Sequence, residues 1–449
     1  MTAWSDRTLH FIGIGGAGMS GLALVCHRRG ARVSGSDRAA SSYLERLLAG
    51  GLDPAIGHRP ENVPAEAKIV VSSAIVEENP ELALARERGQ RVIHRGELLA
   101  ELCSEKRLIA VAGTHGKTTT TAMVIWALRA LGEDPAFFVG GELPEAGPGG
   151  DDANAGWGEG EWVVAEADES DASFLRLHPE VAAITNLEMD HHARWGSVAE
   201  LSQAFARFAA TAGGLALGPG LDSLAGAASS RVLRFDAAAP GPERLELAVP
   251  GAHNLLNARA ALAALALAGF DADAAAGELR DFPGVRRRLE LKGTHRGALV
   301  YDDYAHHPTE VRAALAALRA LGPDRLIAVF QPHLYSRTKA LAEQFGAALS
   351  AADEVWVLEV YPSREKPEGE LAGVSGLQVA AAVADRSSGR PVWWLVDADR
   401  AHSALSPRLG EGDVVVTLGA GDINKLAGRF ADEDGSPSPP GDGHAKESR

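Results

Sequence analysis

One pattern recurs along most of the chain. A short apolar run is broken by glycine or by a cluster of polar side chains, and a stretch with helical spacing or rich in alanine follows. Such runs begin at Thr8, Lys68, Arg91, Leu108, Glu161, Val181, Ala298, Arg325, Glu354, Pro391 and Asp413. Strand, loop and helix in alternation predict an α/β protein built on parallel sheets. The polar residues gather just after the strands, where open parallel sheets bind ligands. The pattern fades at the end: ADEDGSPSPPGDGHAKESR (431–449) carries no apolar periodicity and is expected to be a disordered tail.

Length adds a domain count. At roughly 150 residues per domain, 449 residues make about three. The breaks in pattern put them at 1–105, 106–291 and 292–430. No run of 18 apolar residues occurs, and the N-terminus lacks a basic region followed by an apolar core, so a cytoplasmic protein with no membrane partner is expected. The formal net charge of −16 argues against nucleic acid as a partner, because neutralising a phosphate backbone needs a basic surface. Small anions can still bind in locally positive pockets. Two cysteines, Cys26 and Cys103, stand beside apolar residues and read as buried thiols, too few for a disulfide framework.

The most informative stretch is LIAVAGTHGKTTTT (108–121). It reads as a buried strand, a turn and a helix start, with the loop Gly113-Thr114-His115-Gly116-Lys117-Thr118 between them. Glycines let backbone amides close around a phosphate, Lys117 neutralises it, and Thr118 offers a hydroxyl to Mg²⁺. The spacing is shorter than the usual phosphate loop, because Val111 stands where the first glycine belongs.

Near the N-terminus, Gly13, Gly15 and Gly18 fit GxGxxG, and Asp37 follows a second strand at the distance of a ribose-binding acid. Close packing of strand on helix would also explain these glycines. Acids cluster after two later strands, in Glu166-Ala-Asp-Glu-Ser-Asp171 and Leu187-Glu-Met-Asp-His-His192. They suit a magnesium ion held with substrate oxygens, or simply an exposed acidic strand end. His253, Asn254 and Asn257 can cap a helix or present amides to a base. Arg286, Arg287 and Arg288 form a solvated turn or complement phosphate charge.

Taken together, GIGGAGMSG (13–21), GTHGKTTTT (113–121), EADESDASF (166–174), TNLEMDH (185–191), GAHNLLNA (251–258), FPGVRRR (282–288), DDYAHHPTE (302–310), FQPHLYSRT (330–338) and GAGDI (419–423) resemble the Mur ligase family over the chain to about residue 430. The resemblance implies a Rossmann-like N-terminal domain holding a UDP-sugar, a central ATPase domain, and a Rossmann-like C-terminal domain that closes over the site. The implied activity is ATP-dependent addition of L-alanine to the carboxylate of UDP-N-acetylmuramate through an acyl phosphate. The small-molecule partners are then UDP-N-acetylmuramate, L-alanine and ATP with Mg²⁺, and the enzyme is expected as a monomer or homodimer.

By the same resemblance, ATP lies on Gly113, Thr114, His115, Gly116, Lys117, Thr118 and Thr119, with Asn254 and Asn257 at adenine, Asp303 at the nucleotide ribose and Arg288 at phosphate. Metal falls to Thr118, Glu166 and His191. The UDP-sugar falls to Gly15, Gly16, Ala17, Gly18, Met19, Ser36, Asp37 and Ser73, and the amino acid to Tyr304, His306 and Arg337. Lys117, Glu166, His191, Arg288 and His306 are the implied catalytic set. Three positions depart from the family pattern: Leu334 replaces a second arginine found in some relatives, Ala193 replaces an acid, and no lysine lies between Lys117 and Lys292 to be carbamylated.

Overall fold

The computed structural model describes residues 3–144, 154–189, 195–226, 231–236, 245–363 and 365–434. The chain forms two compact units. One holds the chain up to Ala248 together with His253–Val285, and the other holds Val249–Ala252 and the chain from Arg286 onward. The break at Val285 falls six residues before the expected boundary at 291.

The first unit contains two sheets. β1 (Thr8–Ile12), β2 (Arg32–Asp37), β3 (Ala55–Ile56), β4 (Lys68–Val71) and β5 (Val92–His94) form an all-parallel sheet in the order β3-β2-β1-β4-β5. Phe11 on the central strand lies opposite Gly35 and Val70. Helices Ala17–Arg28 and Arg95–Cys103 carry Cys26 and Cys103, both buried. Burial pushes the Cys26 thiol up to about 12 and raises that of Cys103 as well, so both stay protonated and inert.

The second sheet runs β12-β11-β10-β6-β9-β7-β8, from β6 (Arg107–Ala112), β7 (Ala136–Phe138), β8 (Ala155–Gly156), β9 (Trp162–Glu166), β10 (Val181–Ile184), β11 (Gly214–Leu217) and β12 (Arg231–Arg234). All pairs are parallel except β7 with β8. β6 sits centrally, with Val111 opposite Glu166 on one side and Ala112 opposite Ile184 on the other. Both faces of β6, β9, β10 and β11 are covered, which is why they read as unbroken apolar runs. The same registers deliver Gly113, Glu166 and Thr185 to one edge of the sheet.

The second unit has one sheet, ordered β13-β14-β18-β15-β16-β17, from β13 (Glu290–His295), β14 (Ala298–Asp303), β15 (Arg325–Phe330), β16 (Glu354–Leu358), β17 (Val392–Leu395) and β18 (Asp413–Leu418). Only β13 and β14 pair antiparallel. The last helix, Asn424–Asp434, runs past the point where a disordered tail was expected. Leu426, Ala427 and Phe430 make one apolar stripe on it and are buried, as is Ala431. The charged residues that follow masked that stripe in the sequence; residues 435–449 lie outside the described residues.

Candidate active site

β6 ends at Ala112 and helix Lys117–Ala130 begins four residues after Gly113. Two backbone demands explain the glycines between. Gly113 has φ +130° and Gly116 has φ +81°. A Cβ would run into Thr185 Oγ1 at the first and into Asn257 Oδ1 at the second. Among the described residues no side chain caps the helix start at Gly116, which leaves its first amides open.

The strand-end segment Thr185–Glu188 pins the loop. The His115 amide donates to Asn186 Oδ1 at 2.9 Å, and the His115 carbonyl accepts from Asn186 Nδ2 at 2.9 Å and Thr185 Oγ1 at 2.6 Å. Thr114 Oγ1 donates to the Glu188 carbonyl and accepts from the Glu188 amide, both at 2.9 Å. His115 Nε2 lies 3.0 Å from Glu188 Oε2.

Lys117 points back across this loop. Its ammonium donates to Glu169 Oε2 at 2.8 Å and to the carbonyls of Gly113 and Thr114 at 2.7 and 3.2 Å. Burial alone would lower its pKa, but Glu169, Asp168 and Glu166 together raise it, so Lys117 stays a cation. Burial pushes Glu169 up to about 7 against the pull of Lys117. Burial also works against the charge on Asp168, yet Lys117 and Arg95 outweigh it and hold that carboxyl at about 2.

Glu166 is the last residue of β9 and faces Thr118, whose hydroxyl donates to Glu166 Oε2 at 3.0 Å. The Gly140 amide donates to the same oxygen at 2.7 Å, and a Cβ at Gly140 would strike that carboxylate. A hydroxyl and a carboxylate side by side at a phosphate loop are the hard oxygen donors that Mg²⁺ prefers. His191, the third expected ligand, lies outside the described residues.

Asn254 and Asn257 are buried on helix Ala252–Ala268, with Asn257 Nδ2 donating to Asn254 Oδ1 at 3.3 Å. The contact of Asn257 with Gly116 puts this pair beside the phosphate loop.

The N-terminal glycine loop is built by Asp37 and Ser36 on β2. The Gly15 amide donates to Asp37 Oδ2 at 2.8 Å, while the Gly13 and Ile14 amides donate to the Ser36 carbonyl at 2.8 and 3.0 Å. The amides of Ala17 and Gly18, in the first turn of helix Ala17–Arg28, make no hydrogen bond among the described residues, a setting that attracts anions.

Ser36 is wholly buried, its hydroxyl donating to Glu81 at 2.5 Å, and Met19 is buried in the core. Ser73 lies 3.2 Å from His94 Nε2 and donates to Asp171 Oδ2 at 3.4 Å.

The second unit gathers its own candidates at the ends of β14, β15 and β18. Asp303 accepts from the amides of Leu289 and Ala305, each at 2.7 Å, and burial pushes it up to about 7. Oδ2 thus holds the turn that carries Arg288, while Oδ1 fixes the segment that follows β14. The Arg288 guanidinium stands 5.1 Å from the Tyr304 ring centre and 4.0 Å from Glu310 Oε1. The rings of Tyr304 and His306 meet edge to face at 5.2 Å, and His306 lies 6.1 Å from His333. Arg337 Nη1 is 3.4 Å from His333 Nδ1, and His333 stacks on Tyr361. Leu334, at φ +70°, is strained backbone at the turn into Tyr335–Leu349.

Sequence reasoning missed several groups. Asn186 and Glu188 sat in a motif noted for its acids and histidine, yet their part is to shape the loop. Their position directly after the strand beside β6 was the available signal. Glu169 was placed among the metal candidates and turns out to hold Lys117. His333 sat inside FQPHLYSRT with no role assigned to it, and Tyr361 carried no motif signal.

Three stretches match family descriptions: residues 8–107 match "Mur ligase family, catalytic domain", 111–217 match "Mur ligase middle domain", and 287–421 match "Mur ligase, glutamate ligase domain". The UDP-N-acetylmuramate–L-alanine ligase of Mycolicibacterium vanbaalenii is 45% identical over 94% of this chain and 95% of its own length. That of Rubrobacter xylanophilus is 46% identical over 93% and 98%. The crystal structure of the Thermotoga maritima UDP-N-acetylmuramate–alanine ligase superposes with a TM-score of 0.81 at 28% identity, covering 96% of this chain and 99% of that one. A murein peptide ligase of Psychrobacter arcticus shares the fold, with a TM-score of 0.68 at 23% identity.

Proposed function

The chain belongs to the Mur ligase family, and from that premise we infer that it joins L-alanine to the carboxylate of UDP-N-acetylmuramate at the expense of ATP. Identity of 43–46% to L-alanine ligases over most of both chains supports this substrate pair. One structural observation carries the chemistry: a half-buried, charged Lys117 at a glycine-built loop, with Thr118 and Glu166 side by side next to it.

A carboxylate is a poor electrophile because its oxygen is a poor leaving group. Transfer of the γ-phosphoryl group to that oxygen releases ADP and gives an acyl phosphate. The amine then attacks the carbonyl carbon, the C–N bond forms, phosphate departs with the former carboxylate oxygen, and the nitrogen gives up a proton. Such a reaction asks the protein mainly for positioning and charge neutralisation.

In this reading the loop from Gly113 to Thr119, through the amides that open its helix, and the Lys117 ammonium hold the ATP phosphates, and Asn254 and Asn257 lie at the base. Thr118 and Glu166 would hold Mg²⁺, which supplies charge neutralisation at the transferring phosphoryl group. The open amides of Ala17 and Gly18 take the UDP-sugar diphosphate. In the second unit, Arg288 is assigned to phosphate charge, Asp303 to the nucleotide ribose, and Tyr304, His306 and Arg337 to the amino acid.

The test is amide formation from UDP-N-acetylmuramate, ATP, Mg²⁺ and L-alanine, with phosphate release measured alongside. Product with L-alanine that is lost in Lys117→Ala supports the reading. Product only with a murein tripeptide would reassign the amine substrate, and full activity in Lys117→Ala would overturn the assigned loop chemistry.

A further inference from the structure

Arg95 opens helix Arg95–Cys103 directly after β5. Its Nη2 donates to two carboxylates of the acidic turn after β9, Asp168 Oδ2 at 2.9 Å and Asp171 Oδ2 at 2.7 Å. Its Nη1 lies against the first turn of helix Ala17–Arg28, where a Cβ at Gly18 would come within 2.9 Å of it. That nitrogen makes no hydrogen bond among the described residues. Asp171 also faces His94 Nε2 at 3.7 Å, and a Cβ at Gly96 would strike Ser173, so the start of this helix is seated on the acidic turn.

The guanidinium is a rigid planar fork whose donors point in fixed directions. Here one arm holds the turn that carries Asp168 and Glu169, and Glu169 holds Lys117. The other arm looks toward the open amides of Ala17 and Gly18. An anion arriving at those amides gains the second arm without displacing the acids on the first.

We propose that Arg95 is a positioning residue that couples occupancy of the glycine loop by the UDP-sugar diphosphate to the phosphate-binding Lys117, acting through the turn Asp168–Asp171. The proposal rests on the reading that the glycine loop holds the diphosphate. With both arms engaged, Arg95 and the acidic turn lose freedom before ATP arrives, and ATP binding no longer bears the cost of ordering them. The coupling is therefore positive, and by linkage ATP tightens the UDP-sugar by the same factor.

Calorimetry with a non-hydrolysable ATP analogue and Mg²⁺, without and with saturating UDP-N-acetylmuramate, measures that factor. The native protein is expected to bind the analogue at least about fivefold tighter with the sugar present. In Arg95→Ala the ratio falls to about one, while the Kd for the analogue alone stays within about twofold. Arg95→Lys, which keeps the charge and loses the fork, also brings the ratio near one. Asp168→Asn lowers it from the other end and serves if Arg95→Ala does not fold. A merely structural role would weaken analogue binding in both conditions and leave the ratio intact. A native ratio of one, or an undiminished ratio in Arg95→Lys and Asp168→Asn, would overturn the coupling. Failure of the native protein to bind UDP-N-acetylmuramate at all would instead remove the reading beneath it.

Discussion

The ammonium of Lys117, half-buried, and the buried carboxylate of Glu169 lie 2.8 Å apart beside the loop Gly113–Thr118. If the loop holds a nucleotide phosphate, as proposed, that phosphate and Glu169 share one ammonium, and an arriving nucleotide has to compete with the carboxylate.

That competition is measurable. Glu169→Gln leaves a half-buried cation short of a partner, and the nucleotide-free protein is expected to lose about 3 kcal/mol of stability. A non-hydrolysable ATP analogue should then raise Tm further in the variant than in the native protein. Equal thermal shifts would mean that Glu169 and phosphate do not compete for Lys117.

Gly116→Ala tests the backbone of the loop. The position has φ +81°, and a Cβ there meets Asn257 Oδ1, so strain of about 1–3 kcal/mol adds to displacement of a buried amide. ATP affinity is expected to fall at least about tenfold, the equivalent of 1.4 kcal/mol. Gly132→Ala is the control: Gly132 has φ +87° with nothing within 4 Å of a Cβ, so it should lose stability alone. If both variants bind ATP like the native protein, the contact with Asn257 carries no weight.

Glu81, wholly buried in the N-terminal sheet domain, predicts a pH effect. Burial works to raise its pKa, but hydrogen bonds from His10, Ser36, Asn62 and the Arg59 amide outweigh burial and hold it at about 2. A carboxyl lowered from about 4.5 to about 2 binds fewer protons folded than unfolded across that window. Its stabilisation is therefore complete above pH 4.5 and is lost as pH falls toward 2. At 1.36 kcal/mol per unit the loss amounts to about 3 kcal/mol. Urea unfolding of the native protein and Glu81→Gln at pH 7, 4 and 3 should show the gap between them narrowing as pH falls. A constant gap would refute the shift.

These tests separate what the sequence could reveal from what it could not. Lys117, Thr118 and Glu166 were legible because phosphate chemistry demands those residue types next to glycines at strand ends, and β6 and β9 put them together through the register of Val111 with Glu166. The sheet class was legible because strands buried on both faces leave unbroken apolar runs. Glu81, Ser36 and Asn186 were not legible as structural supports. Each is a polar residue whose value lies in partners far along the chain, and no local pattern records such a pairing. The helix through Asp434 was hidden for a related reason, since Leu426, Ala427 and Phe430 set its buried stripe while the acids after them dominate the composition.

Arg337 can be tested with a change in the substrate. It stands in the first turn of helix Tyr335–Leu349 with its Nη1 near His333, and the preceding Leu334 offers no charge of its own. If Arg337 reads the carboxylate of L-alanine, its removal forfeits charge-assisted hydrogen bonds of about 1.5–3 kcal/mol, and Arg337→Ala should raise KM for L-alanine roughly 10- to 150-fold with KM for ATP unchanged. L-Alaninamide presents the same amine without the charge. The native protein should therefore favour L-alanine over the amide by a similar factor, and Arg337→Ala should use the two almost equally. A variant that still prefers L-alanine by the native margin would show that the carboxylate is read elsewhere.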